Sequence, residues 1–156
     1  MRIFISYFYQ VRFFRKDILA FSTAHSDPQW FHQGWNKRKV YLNDSGVLIG
    51  LRADNLVPGK SCEGLCQGNC IPRTPDSCEF LKAYRRQLDQ IDFKEFIDSL
   101  EKACQDYQKK NGLFDTDVVF LVHEAPDNHC SERSVLFDWF RSNGVEVEEW
   151  SRNFLV

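Results

Sequence analysis

Val118-Val119-Phe120-Leu121-Val122-His123-Glu124, then a short loop, then His129-Cys130-Ser131-Glu132-Arg133, is the stretch on which the reading of this chain turns. The first five residues are an apolar run of strand length, and an amphipathic segment follows the loop as far as about residue 142. Gly144 can end that helix, and Val145-Glu146-Val147-Glu148 reads as another strand. This order predicts a right-handed β–α–β unit whose strands, near 118–122 and 145–149, are parallel neighbours. A helix N-terminus carries unpaired N–H groups and partial positive charge, so it attracts anions and lowers thiol pKa values. Chemistry is expected at that loop.

Working outward, residues 3–9 form an aromatic, β-prone run and Ile18-Leu19-Ala20-Phe21-Ser22 a second. Val40-Tyr41-Leu42 and Val47-Leu48-Ile49 bracket the turn formers Asn43-Asp44-Ser45-Gly46, which predicts a β-hairpin. Helices are expected at about 78–91, with Phe80, Leu81, Tyr84 and Leu88 on one face, and from Asp92 to about Lys110. The buried stripe of the second is Phe93, Phe96, Ile97, Leu100, Cys104 and Tyr107, and Asn111-Gly112 stops it. The fold class is therefore α/β: one domain over residues 1–156, with a mixed sheet and a Cys-rich insertion at 58–78.

A hydrophobic content of 43% with 15% aromatics belongs to a packed globule and excludes a disordered chain. The net charge of -2 gives no global pull toward nucleic acid or anionic membrane, so a polyanion site must be local. No apolar run reaches membrane-spanning length, and Met1-Arg2-Ile3-Phe4-Ile5 reads as a first strand rather than a signal peptide. A cytoplasmic location is the expectation.

Four cysteines follow the pattern Cys62-x3-Cys66-x3-Cys70-x7-Cys78 among Gly64, Gly68, Pro72 and Pro75. Thiolates from short, bendable segments suit a structural tetrahedral zinc site, and an iron–sulfur cluster is the alternative. The other reading is that some of these thiols simply pack as small hydrophobes.

The C-terminal constellation resembles the bacterial and phage family called domain of unknown function 488. Leu121-Val122-His123-Glu124 matches its strand and glutamate, Cys130 its cysteine, Arg133 its arginine, and Gly144-Val145-Glu146-Val147 its closing strand. Ser131-Glu132 stands where the family has a single histidine, so Cys130 and Arg133 are one residue further apart. The resemblance implies the fold more than an activity.

Taken one at a time, Cys130 is a nucleophile or a packing residue, and Glu124 is a general base or a turn cap. Arg133 opposes the helix dipole, which argues for an anionic partner, whether a ligand or a salt bridge to Glu124 or Glu132. His123 and His129 flank the loop as proton shuttles or as scaffold. Ser131 begins the anion-binding turn, and Arg12 and Arg52 can add charge to the same pocket. Trp30 and Trp35 can stack a nucleotide. A phosphatase loop is excluded because Leu136 stands where its arginine belongs, and no papain-like signature surrounds Cys130.

Two functions follow. One is an enzyme acting on a nucleotide, nucleobase or other phosphate-bearing small molecule at the N-terminus of the last helix. The other is a zinc-stapled, non-catalytic module in which Trp30, Trp35 and the basic stretch 36–39 recognise a nucleotide, nucleic acid or protein.

Overall fold

Asp117–Val122 is buried at every position, as a strand covered on both faces and paired on both edges must be. It is the middle of the sheet. The structure, a computed structural model, describes residues 1–32, 39–65, 78–127 and 131–152. Its strands are β1 (Ile3–Tyr7), β2 (Ile18–Ser22), β3 (Tyr41–Leu42), β4 (Leu48–Ile49), β5 (Leu51–Arg52), β6 (Asp117–Val122) and β7 (Val147–Glu149). Its helices are α1 (Glu79–Asp89), α2 (Phe93–Asn111) and α3 (Arg133–Ser142). Five strands form one sheet in the order β5-β2-β6-β1-β7, and β3 and β4 form the separate hairpin.

The α/β class, the single domain and the strand–helix–strand order are as the sequence reading has them. Placement differs in one respect. Every pairing in the main sheet is parallel, but β6 and β7 are not neighbours, because β1 lies between them. The helical crossover dictates that β6 and β7 run the same way; it does not dictate that they touch. Ile3, Phe4 and Ile5 are all buried, and such a strand is best satisfied with a ladder on each edge.

Strand alternation sorts the core into two layers. Ile3, Ile5, Val118, Phe120 and Val122 face the helices, where Tyr84, Phe96, Leu136, Trp139 and Phe140 meet them. Phe4, Ile18, Ala20, Val119 and Leu121 face the opposite layer, built from Phe8, Val11, Phe14, Phe31, Val47, Ile49 and Trp150. Local signals explain the helix ends. The Asp92 side chain accepts from Glu95 N at 3.1 Å, and Gly112 closes α2 at φ 64, where a side chain would be strained. The hairpin turn is held by Asn43 Oδ1, which accepts from Ser45 N and Val47 N, both at 3.0 Å. Among the described residues no helix is long and apolar enough to cross a membrane.

Candidate functional site

All five strands of the main sheet end on one edge, the edge at which open α/β sheets bind ligands. Two charged clusters stand there. The first is centred on Asp27, whose side chain is only 3% exposed, in the loop after β2. Its carboxylate accepts from Ser22 Oγ, from Arg52 Nη1 at 2.7 Å and from His32 Nε2 at 2.5 Å. Arg52 also donates to Ala24 O at 2.8 Å and to Asp54 at 3.3 Å, so its guanidinium is well occupied. Burial pushes the Asp27 carboxyl up, but the bonds from Ser22, Arg52 and His32 outweigh it and hold the group below its ordinary value. Among the described residues His32 Nδ1 is buried without a partner.

The second cluster surrounds the start of α3. Arg133, 7% exposed, donates through Nε to Glu149 Oε1 at 2.5 Å and through Nη2 to Glu149 Oε2 at 3.5 Å. Its intramolecular partner is thus Glu149 at the end of β7, and not the expected Glu124 or Glu132. The guanidinium lies 5.9 Å from the Tyr7 ring. Among the described residues its Nη1 is buried with no hydrogen-bond partner, and so is Glu124 Oε2. Ser131 Oγ accepts from Arg133 N at 3.1 Å, which spends that hydroxyl on the helix start. The next N–H groups, those of Ser134 and Val135, have no carbonyl one turn back within the helix.

Glu132 is the residue whose importance the sequence reading missed. Burial raises its carboxyl to about 7, with the negative charge of Glu124 adding to the effect and His123 and Arg133 opposing it. Burial likewise lifts Glu149 above its ordinary value, with Arg133 pulling it back. The Tyr84 hydroxyl, driven well above its usual range by burial, also feels Glu132 and Cys62, so these groups share one neighbourhood. No local signal marks Glu132, because its neighbour Glu124 reaches it only across the loop.

His123 joins the two clusters. Its Nε2 donates to Ser26 O at 2.5 Å, and its ring lies 5.1 Å from Phe8. Arg12 is exposed, donates to Tyr9 O at 3.0 Å, and lies 3.9 Å over the Tyr9 ring. Cys130 and His129 lie outside the described residues, as do Cys66, Cys70 and Trp35. Cys62 and Cys78 are buried in the helical core layer, and the Cys62 thiol donates to Gln87 Oε1 at 3.7 Å. Among the described residues no three His, Cys, Asp or Glu side chains gather as a metal-holding group.

Comparison with family models, with curated proteins and with solved structures returned no match.

Proposed function

We propose that this chain is an enzyme acting on a hydroxyl-bearing phosphate ester, bound at the N-terminus of α3. The observation that carries the reading is the pair of buried atoms that have no partner among the described residues, Arg133 Nη1 and Glu124 Oε2. A buried donor and a buried acceptor left unmade each cost about 1–3 kcal/mol, so a ligand that supplies both partners recovers that energy. A bare anion suits Arg133 and the α3 N–H groups but is repelled by Glu124, Glu132 and Glu149. A phosphate ester with neighbouring hydroxyls serves both, because its oxygens accept from Arg133 while its hydroxyls donate to Glu124. Glu132, poised near neutral pH, gives a proton to the departing group or takes one from the attacking hydroxyl. Glu124 is the second carboxyl of the pair. The thiol of Cys130 has no role in this scheme.

The proposal extends to two expectations from the sequence. The strand, glutamate and helix that carry the likeness to domain of unknown function 488 are the elements that build this site, and kinship with that family is proposed on them. The free buried thiols of Cys62 and Cys78, which flank the cysteine segment, fit a structural zinc site completed by Cys66 and Cys70, with iron–sulfur as the alternative.

The test is titration calorimetry with ribose 5-phosphate. The double variant Arg133→Gln/Glu149→Gln, which removes both members of the ion pair together, should lose about 1.5–3 kcal/mol of binding, the value of a charge-assisted hydrogen bond. Unchanged affinity defeats the proposal.

A further inference from the structure

The layer away from the helices carries a cavity of about 280 Å³ whose charge is the reverse of that at α3. The buried side chains of Phe8, Val11 and Ile49 form its floor, Trp30 and Tyr41 its aromatic walls, and Arg12 and Asn43 its polar members. One guanidinium stands there and no carboxylate, whereas α3 gathers Glu124, Glu132 and Glu149 around one arginine. Trp30 is 46% exposed, a costly placement for the largest apolar side chain, while Trp139 and Trp150 are 1% exposed. Its ring is nevertheless held in place. It meets Phe8 edge-on at 6.3 Å and Phe31 edge-on at 5.9 Å, and the Tyr41 hydroxyl donates to the Trp30 carbonyl oxygen. An exposed indole so fixed offers a flat ring a stack at little cost in ordering.

The cavity does not stand alone. Arg12 lies 3.9 Å over the Tyr9 ring and donates through Nε to Tyr9 O at 3.0 Å. That fixes its guanidinium and leaves the Nη groups without a hydrogen bond among the described residues. Tyr9, 51% exposed, meets Phe13 edge-on at 5.9 Å, and the Arg152 guanidinium lies 5.2 Å from the Phe13 ring. Arg152 is tied to this layer by its backbone N–H, which donates to Gln10 Oε1 at 3.2 Å. From the cavity outward the order is indole, guanidinium, tyrosine, phenylalanine, guanidinium. A flexible polyanion with flat side groups needs that sequence, rings for its bases and cations for its phosphates. A single nucleotide would use one of the two guanidiniums, and a proline-rich peptide would cover the rings but bring neither cation an anion.

We infer that this surface binds single-stranded nucleic acid, one base stacked on Trp30 in the cavity and the neighbouring phosphates held by Arg12 and Arg152. The surface is separate from the start of α3 and independent of the function proposed there. A chain of net charge -2 can meet a nucleic acid only through such a local basic patch.

The experiment is fluorescence anisotropy of the full chain with end-labelled oligo-U and oligo-dT, each about ten nucleotides long, within the span of one single-strand site. At least one strand should bind. Trp30→Ala should weaken it roughly tenfold, the scale of one base–aromatic stack, and Trp30→Phe should restore part of the loss. Arg12→Gln and Arg152→Gln should each lower the slope of log affinity against log salt by about 0.7, the share of one phosphate. All three positions are exposed, so Tm should hold in each variant. UMP should compete far more weakly than the strand, and a proline-rich peptide should not compete. Failure of both strands to bind overturns the inference, as does binding indifferent to Trp30→Ala and to both arginine variants, or a loss that follows Arg133→Gln/Glu149→Gln instead. Equal competition by UMP overturns it by reducing the surface to a small-molecule site, and displacement by the peptide overturns it in favour of a protein partner.

Discussion

The clusters around Asp27 and around Arg133 are built from similar kinds of residue on the same sheet edge, yet their central charged groups are engaged to different degrees. At Asp27 one buried carboxylate receives three donors, and Arg52 spends its remaining donors on Ala24 and Asp54. At Arg133, among the described residues, one guanidinium serves a single carboxylate, two further glutamates stand nearby, and Nη1 and Glu124 Oε2 have no partners. Apart from His32 Nδ1, the Asp27 network has its partners, ties the loop after β2 to β5 and contributes to holding the edge together. An unsatisfied one weakens the fold and is retained where a ligand completes it. The two clusters thus differ in how fully their buried charged groups are engaged, not in the presence of charge.

The contrast breaks most visibly in stability. Asp27→Ala strands Arg52 and Ser22 and should cost about 3–5 kcal/mol in urea unfolding. Removing the other ion pair whole, by Arg133→Gln/Glu149→Gln, should cost about 1 kcal/mol or less, because both charges leave together. Equal losses from the two changes would erase the distinction between a closed cluster and an open one.

The next largest effect is on pH dependence. In the folded chain Glu132 holds its proton to about pH 7, above its ordinary value of 4.5. Between those values the folded state binds a proton that the unfolded state has released, so stability falls as pH rises through that window. Glu132→Gln should therefore match the wild type at pH 4 and exceed it at pH 8 by up to about 3 kcal/mol. A flat difference between the two proteins across that range would mean that Glu132 ionises like a surface residue. With substrate in hand, the same substitution should remove the inflection near pH 7 from kcat/KM.

The smallest effect concerns the start of α3. Ser131→Ala deletes the acceptor for Arg133 N and should cost about 1 kcal/mol, seen as a lower Tm. Asp92→Ala, at the start of α2, should cost a similar amount. A far larger loss at Ser131 would mean that it anchors the whole charged cluster rather than one helix end.

Much of this architecture is legible in particular residues. The run 118–122 is a strand at the sheet centre because it is apolar on both faces. Asp92 and Gly112 bound α2 because one supplies a cap and the other a left-handed backbone. The 43–46 turn follows from Asn43 and Gly46. Each of these depends on interactions within a few positions. The positions of Glu124 at a strand end and Arg133 at a helix start were also readable, since both are local properties.

What the local pattern could not contain is which distant groups meet. Placing β1 between β6 and β7 depends on which ladder buries Ile3, Phe4 and Ile5 best, a comparison among whole sheets. Glu149 reaches Arg133 from across that inserted strand, and Asp27 gathers partners from β2, its own loop and β5. The carboxyl of Glu132 titrates near neutrality because the packed chain shields it from water beside Glu124. Periodicity and capping are short-range and were written in the sequence; burial and charge pairing are long-range, and only tertiary packing could decide them.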